Sequence, residues 1–339
     1  MSNSSVNPGT DYRAMAPGIA FAFLVAVAVW QLGLMPWNRS LQLSALTLAI
    51  VAGMVTGNLV PPAWLSGATP GLRFTQQKIL RLGIILYGVR LTVQDLFRLG
   101  PRALLLDVIV IVSVLALGYW LGTRVFGIDP DTALLVSCGA GICGAAAVLA
   151  TDRVIEAESH KVSVAVATVV VFGTVGMFLY PFLYPLTHFS ERAFGIYIGA
   201  TVHEVAQVVA AARAVSDKAA DTAVITKMLR VVLLAPVLVI IGRLRGRDGG
   251  AAGRSAFPWF VVWFAVVIAA QSLIHLPPKV KANLIDLDTI LLSSAMFALG
   301  VSTRWEQMKK AGPRPLLLAS TIFFGLVGGG YTLVSVIAP

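Results

Sequence analysis

Ser137-Cys-Gly-Ala-Gly-Ile-Cys-Gly144 and Gly199-Ala-Thr-Val-His-Glu204 are two glycine-containing stretches, each in the middle of a long apolar segment. Glycine and small polar residues weaken a helix locally and expose its backbone groups. Inside a membrane, irregular backbone is tolerated only where it is buried in protein or lines a wet cavity. Two interrupted apolar segments are typical of the binding site of a secondary transporter. The two stretches therefore predict two broken helices near the middle of the membrane.

The composition is that of a membrane protein. Of the 339 residues, 57% are hydrophobic and 12% are charged, and the mean hydropathy of +0.83 is higher than a soluble domain needs. The sequence predicts an all-α polytopic membrane protein with about eleven membrane segments. The predicted segments are 17–35, 42–60, 79–97, 103–126, 132–151, 162–186, 193–213, 222–242, 257–276, 284–303 and 315–338.

These segments leave no loop long enough for a second domain. We interpret residues 1–339 as a single transmembrane transporter unit, with a short tail at 1–16 and a core containing the broken helices at 132–242. The first segment is long for a signal peptide and has no basic cluster before it, so we treat it as a retained span. The expected location is the bacterial inner membrane.

The net charge of +10 indicates membrane topology, because no basic patch lies on a foldable soluble domain that would bind nucleic acid. If all segments cross the membrane, the N-terminal side carries fourteen of the 26 basic residues. The positive-inside rule then predicts a cytoplasmic N-terminus. These fourteen are Arg13, Arg73, Lys78, Arg81, Arg124, Arg192, Arg243, Arg245, Arg247, Arg254, Arg304, Lys309, Lys310 and Arg314.

The chain matches itself without gaps in two registers. The first, called here the Gly-Pro-Arg match, aligns Gly88-Val89 with Gly300-Val301 and Gly100-Pro-Arg102 with Gly312-Pro-Arg314. In both copies an apolar helix is predicted to end at Gly-Val, and Gly-Pro-Arg begins the next helix. The copies are an odd number of segments apart and would cross the membrane in opposite directions, which predicts an inverted repeat.

The second register, called here the break match, aligns Gly139-Ala140 with Gly199-Ala200, and Cys143 with His203. It superposes the two interrupted stretches themselves. The two matches imply different segment orders. A permuted repeat, or broken segments that re-enter instead of spanning, would reconcile them.

A broken helix has free backbone donors at the start of its second half, where the partial positive charge attracts an anion. The carbonyls at the end of its first half attract a cation. We therefore predict a substrate site, for which the alternative is close helix packing at the small residues. The candidate substrate-binding residues are Gly139, Gly141, Cys143, Gly144, Gly199, Thr201 and Arg230.

His203 and Glu204 are ionisable residues in the middle of an apolar segment, where such groups are costly and usually functional. Gln207 follows His203 by one helical turn, so both side chains are predicted to face one ligand. We assign ion coupling to His203, Glu204 and Gln207. The alternative is a structural ion pair of Glu204 with Lys227 or Arg230.

Lys227 and Asp107 are expected to lie nearer the membrane interface than the substrate site. Lys227 and Arg230 share one helix face, and the length of the lysine side chain favours an interfacial position for Lys227. Asp107 is one turn inside its predicted segment, which predicts an interfacial carboxylate.

Other chemistry has little support in the sequence. Cys138 and Cys143 lie in one apolar segment and are expected to be small packing residues, without a disulfide or zinc site. Position 207 is Gln, so the second histidine of a His-Glu-x-x-His motif is missing. No nucleophile-elbow pattern is present. We expect no enzymatic activity, no metal and no cofactor.

Several stretches resemble one known family, the YeiH-type conserved membrane proteins. They are 82–90, 141–147, 165–180 and 199–207, and the resemblance covers nearly the whole chain. The Gly-Ile-Cys-Gly and His-Glu-Val-Ala-Gln stretches are its most specific parts. Members are often labelled sulfate exporters, and the family is grouped distantly with cation:proton antiporters and bile-acid-type anion transporters. The resemblance implies paired broken helices that cross near the midplane, with an elevator-like or rocking cycle.

The interpretation is a secondary transporter of a small anion, such as sulfate or another sulfur-containing oxyanion, that works by alternating access. Its expected partners are the anion, H+ or Na+ as coupling ion, membrane lipid and a second copy in a homodimer, with no nucleic acid. One alternative is a cation:proton antiporter in which Glu204 carries the proton. The other is a membrane receptor or scaffold that transports nothing.

Overall fold

The computed structural model describes residues 12–35, 44–245, 259–274, 276–304 and 312–337. Within these residues the chain forms helices and no β-strand. The helices are α1 (Tyr12–Leu34), α2 (Ala45–Leu59), α3 (Pro62–Leu65), α4 (Thr69–Phe74), α5 (Leu80–Tyr87), α6 (Val93–Trp120), α7 (Pro130–Gly141), α8 (Ala145–Ile155), α9 (Ser159–Thr187), α10 (Glu191–Thr201), α11 (Val205–Arg213), α12 (Asp217–Val232), α13 (Leu234–Leu244), α14 (Trp259–Leu273), α15 (Pro278–Ser302) and α16 (Pro313–Ile337).

The helices confirm the all-α membrane architecture. Among the described residues, six helical stretches are long and apolar enough to cross a membrane, and α2 and α14 are shorter apolar helices. Together these eight coincide with eight of the eleven predicted segments. The segments 132–151 and 193–213 are the pairs α7–α8 and α10–α11, each interrupted in the middle as predicted. The number of segments that cross the membrane stays a prediction.

Some residues used in the sequence predictions lie outside the described residues. They are residues 1–11 of the predicted tail and Arg247, Arg254, Lys309 and Lys310, which contributed to the predicted orientation.

The predicted boundaries of the segment 79–97 are wrong. Helical backbone runs from α4 through a π-helical turn and α5 to Arg90, and α6 begins at Val93. Thr92 has extended backbone and caps α6, because its side chain accepts from Asp95 N while the Asp95 carboxylate accepts from Thr92 N at 2.9 Å. This capping box begins a new helix inside the predicted segment.

Backbone contacts divide the chain into two compact units. The first contains the described residues of Met1–Ile84 together with Asp286–Ser302. Here α2 and α15 touch backbone to backbone, because a Cβ on Gly53 would lie 2.9 Å from Gly300 Cα. Phe21 of α1 packs edge to face on Phe297 of α15, with ring centroids 5.1 Å apart. Small residues and aromatic contacts thus hold this unit together.

The second unit contains the described residues of Ile85–Ile285 and Thr303–Pro339, and the predicted core at 132–242 falls within it. Helix α12 packs against both α10 and α11, and α7 packs against α6, α8, α9 and α16. Tyr180 of α9 stacks on Tyr197 of α10 with centroids 4.9 Å apart, and the Tyr197 hydroxyl donates to Val327 O of α16 at 2.5 Å. The two broken helices are therefore enclosed by packed helices.

The two copies of the Gly-Pro-Arg match have the same local structure. Gly100 and Gly312 both adopt positive φ, 68° and 79°, and each precedes a proline that begins a helical run. Glycine populates this backbone conformation at little cost. The shared turn supports the predicted repeat, whose inverted direction stays a prediction.

We predict that Gly195→Val destabilises the second unit. A Cβ at Gly195 would lie 2.6 Å from the carbonyl oxygen of Ala219 on α12, so the closely packed α10 and α12 would have to separate. Overpacking of this kind costs about 1–3 kcal/mol. The measurement is the melting temperature in detergent. Gly328→Val is the control, since a Cβ at Gly328 has no neighbour within 4 Å. Equal melting temperatures for the two variants would contradict the proposed packing.

Candidate functional site

Each broken helix is interrupted over three residues. Helix α7 ends at Gly141, Ile142 is not helical (φ −123°, ψ −88°), and Gly144 precedes α8 with φ 77°. Helix α10 ends at Thr201, and Glu204 precedes α11 with extended backbone. The structure therefore confirms the two predicted breaks. Each break leaves a carbonyl end on the first half-helix and an amino end on the second half-helix.

The two carbonyl ends are joined by Lys227 of α12. Its ammonium donates to Ile142 O at 2.8 Å and to Val202 O at 2.7 Å, so one side chain binds both breaks. Lys227 is fully buried, and the predicted interfacial position is wrong. The reason is electrostatic, because carbonyl ends carry partial negative charge that a buried ammonium neutralises.

Arg230 binds the same two carbonyl ends one turn further along α12. Its Nε donates to Gly141 O at 2.7 Å, and its terminal nitrogens donate to Gly141 O, Ala200 O and, at 3.5 Å, Ala140 O. Arg230 is also fully buried. Its donors are thus directed at backbone carbonyls of the protein. This differs from the predicted role of Arg230 as a substrate ligand, which nothing in these contacts supports directly.

The carbonyl acceptors reveal an internal symmetry at the breaks. Ile142 and Val202, which share Lys227, are equivalent positions in the register of the break match, and so are Ala140 and Ala200, which share Arg230. In the same register Gly144 aligns with Glu204, and each precedes the second half-helix of its pair. The break match seen in the sequence therefore relates equivalent positions of the two breaks. The two breaks also differ in their side chains, and the difference that matters here is that Gly144 has none whereas Glu204 has a carboxylate.

That side chain covers the amino end of the other broken helix. Glu204 Oε1 accepts from Ala145 N, the first amide of α8, at 3.3 Å. The carboxylate lies directly over Gly144, where an added Cβ would collide with Glu204 Cγ. Glu204 is half-buried, and Ala146 in the first turn of α8 is exposed. An acidic group is favoured at a helix amino end, and this one is at the open side of the break.

These contacts do not match the alternative of a structural ion pair. In the part of the chain that the structure describes, Lys227 and Arg230 donate to backbone carbonyls and Glu204 accepts from a backbone amide. Lys227 and Glu204 interact through their charges without direct contact. The cations and the carboxylate therefore serve opposite helix ends.

Gln207 is a helix cap. Its Oε1 accepts from Glu204 N at 3.2 Å, and its amide Nε2 lies 3.4 Å from Thr174 Oγ1 and 3.5 Å from Val170 O. The prediction that His203 and Gln207 face one ligand assumed a continuous helix. That assumption is wrong, because His203 lies in the break before α11 begins at Val205.

His203, in the second break, is a buried polar residue whose hydrogen bonding is incomplete among the described residues. It is 1% exposed, and its Nδ1 has no hydrogen-bond partner among the described residues. The ring lies 6.3 Å from the Phe323 ring and interacts electrostatically with Lys227 and Arg230. A buried nitrogen without a partner is unusual, so His203 is a candidate to contact a ligand at this site.

The remaining candidate residues line the breaks through packing. Gly139 is in contact range of Val148 and Val169, and Gly199 packs against Ala223 and Thr226. The Thr201 hydroxyl donates to Tyr197 O at 2.5 Å. Cys143 is a buried free thiol, as is Cys138. These residues bring the backbones together, and their direct contact with a substrate stays a prediction. Within the described ranges no three His, Cys, Asp or Glu side chains are grouped to hold a metal ion.

Asp107 of α6 belongs to the site, although its predicted position was interfacial. It is fully buried, and both carboxylate oxygens lack a hydrogen-bond partner among the described residues. Its charge interacts with Arg230 and Lys227. The prediction failed because it used only the distance of Asp107 from the segment end, whereas the packing of α6 against α12 buries the side chain. A single acid inside the apolar run 103–118 was the available signal.

We predict that Lys227→Met lowers stability, because Ile142 O and Val202 O would lose a buried charged donor. Hydrogen bonds to charged groups contribute about 1.5–3 kcal/mol each, so the loss of two should be about 3–6 kcal/mol, measured as thermal stability in detergent. Lys218→Met on the same helix is the matched control, since the Lys218 side chain is 85% exposed. A similar small change in both variants would refute the structural role of Lys227.

Comparisons with known proteins agree with this architecture. The family described as "Conserved hypothetical protein 698" matches residues 17–319. The "UPF0324 inner membrane protein YeiH" of Escherichia coli K12 is 48% identical over 333 residues, which are 95% of each chain. A "UPF0324 membrane protein" of Pseudomonas aeruginosa is 44% identical over 97% of this chain and 96% of its own. No solved structure matches. The chain is thus a multi-pass protein of the bacterial inner membrane and belongs to the UPF0324, or YeiH-type, family.

Proposed function

We propose that this protein is a secondary transporter of a small anion, which binds at the amino end of the second half-helix α8. Transport would proceed by alternating access to this site. The proposal contains no enzymatic step, and the predicted homodimer, lipid contacts and cytoplasmic N-terminus are separate expectations. Broken helices at membrane depth support transport in general, and the charge distribution at the breaks supports an anion.

The observation that carries the choice of an anion is the occupancy of the carbonyl ends. A cation entering the space between the two breaks would be attracted to the carbonyls of residues 140, 141, 142, 200 and 202. Those carbonyls already accept from Lys227 and Arg230, so a mobile cation would meet two fixed positive charges. At the amino end of α8, the half-buried Glu204 accepts from Ala145 N. The accessible helix end is therefore the one that attracts anions.

The donors near that end suit a small oxyanion. A desolvated anion must exchange its water for several hydrogen bonds. The first turn of α8 offers backbone amides at Ala145 and Ala146, and the buried His203 has a free ring nitrogen in the adjacent break. Sulfate, or a small sulfonate, has several oxygens that can accept from such a group of donors. The printed names of the relatives state no substrate, so sulfur oxyanions are the first compounds to test.

A cation:proton antiporter is the second candidate, and one observation favours it. Glu204 is an acid that is half-buried at the crossing, as a residue exchanging a proton for a metal cation has to be. In that case flux would require Na+ or a similar cation and no anion. A receptor or scaffold would show neither flux.

We predict that Ala146→Glu lowers anion flux at least about tenfold, equivalent to about 1.4 kcal/mol. The new carboxylate would stand in the exposed first turn of α8, where it stabilises the helix but repels a second anion. Ala146→Gln is the matched control, with the same size and no charge, and should keep flux within about twofold. The measurement is counterflow of labelled sulfate and methanesulfonate in proteoliposomes.

The outcomes separate the candidate functions. Anion counterflow that falls in Ala146→Glu and persists in Ala146→Gln supports the proposed site. Equal flux in both variants would move the anion away from α8. Proton flux that requires Na+ and ignores both anions would establish the antiporter. Absence of every flux, from protein that stays folded, would favour the receptor or scaffold.

A further inference from the structure

We infer that the Glu204 carboxylate is an internal occupant of the anion site, and that a proton removes it when the substrate enters. This inference rests on the proposed function and adds the coupling ion. While Glu204 is ionised, its carboxylate holds the amino end of α8. Once protonated, the side chain releases that end to the anion, so the protein would carry one proton with each anion.

The position of the carboxylate is the first argument. Glu204 comes from the second break but accepts from Ala145 N at the amino end of the first pair's second half-helix. Its own helix, α11, begins with a capping box in which the Glu204 side chain also lies against Gln207 N, while Gln207 Oε1 accepts from Glu204 N at 3.2 Å. Thus the charged side chain sits where a substrate carboxylate, sulfonate or sulfate oxygen would bind. Two anions in that place would repel each other strongly.

The space around Glu204 is the second argument. The equivalent position in the first break is Gly144, which has φ 77° and no room for a Cβ beneath Glu204 Cγ. Because residue 144 has no side chain, the Glu204 carboxylate fits over it, and we call this space the seat. Glu204 is half-buried and Ala146 is exposed, so the rest of the protein does not fully enclose this seat.

The charges around the seat are the third argument. Lys227 and Arg230 carry two positive charges, and Asp107 and Glu204 carry two negative charges when ionised, so the group is formally neutral. Protonation of Glu204 would leave one positive charge in a buried place, which an anion would balance. A proton and a monovalent anion together restore neutrality. The proton comes from water on the side to which the site is open and is bound to a carboxylate oxygen.

Glu204 has other ionisable neighbours that a test must separate from it. Those facing it or its cationic neighbour are Cys143 from the first break, Lys227 and Arg230 from α12, Asp107 from α6 and His203 from its own break. Helix α9 contributes Val170, Gly173 and Thr174 around Gln207, and α16 contributes Phe323 beside His203. His203 is the rival proton acceptor, since its ring nitrogen is unpaired among the described residues.

The experiment measures sulfate and methanesulfonate affinity of the purified full-length protein between about pH 5 and about pH 8. Above the pH at which Glu204 ionises, affinity should fall about tenfold per pH unit, because each bound anion then requires the uptake of one proton. Glu204→Gln should bind with the acid-limit affinity of the unmodified protein at every pH. Glu191→Gln is the matched control, because Glu191 lies at the far end of α10, and it should retain the slope.

Two further measurements keep the inference testable if Glu204→Gln does not fold. The unmodified protein, mixed with methanesulfonate in weak buffer, should take up close to one proton per anion bound at the alkaline end of the range. His203→Gln should retain the pH slope, whatever its affinity. Loss of the slope in His203→Gln would transfer the proton to His203, and either that result or the absence of proton uptake by the unmodified protein would overturn the inference.

The inference and the proposed function fail in different ways. Anion binding that is independent of pH, with no proton uptake, would leave the anion transporter standing and eliminate the role of Glu204. Absence of anion binding in the unmodified protein and in Glu204→Gln at every pH would eliminate the proposed function itself, and the inference with it.

Discussion

The binding of two carbonyl ends by two buried cations is the contact on which the rest of this site depends. Interrupting a helix inside a membrane leaves carbonyl groups that water cannot reach, and each unsatisfied group costs several kcal/mol. Lys227 and Arg230 supply donors to both interruptions from a single helix. The cations themselves are tolerable only because these carbonyls, and the charge of Asp107, compensate them. Breaks and cations therefore stabilise one another.

The carbonyl ends and the amino ends at the two breaks are therefore occupied by groups of opposite charge. The ends that would attract cations face inward and are bound by the protein, whereas the amino end of α8 is covered by a carboxylate that is half-buried. The two breaks share carbonyl contacts at the aligned pairs 140/200 and 142/202, and they differ at the aligned positions 144 and 204. The asymmetry is chemically useful, since the glycine gives the space that the glutamate fills. A site that consisted of two identical breaks would have no ionisable group at its open end.

Close packing positions these groups. Glycines 195 and 199 let α10 approach α12, which brings Lys227 and Arg230 within reach of the carbonyls. Gly173 leaves room for the Gln207 side chain to cap α11. Small residues thus have two roles in this molecule, since they permit the breaks and they permit the helix contacts that satisfy the breaks. The alternative interpretation of the glycines as packing residues is compatible with a binding site at the same place.

Four features follow from the sequence alone: the membrane class, the family, the positions of both broken helices and the internal match between the two breaks. These features are local, because hydropathy, glycine content and repeat spacing act within one segment. Which groups come into contact depends on the fold of the whole chain. The sequence predicted an interfacial position for Lys227, because a long side chain next to a helix end usually reaches water. That prediction is wrong because the fold places the ammonium at the two breaks. Contacts between distant segments position Asp107 and Glu204. Gln207 takes part in capping α11 because α10 ends before it, at Thr201. Charges inside a membrane are placed by the helix ends that they neutralise, and those ends come together only when the chain is folded.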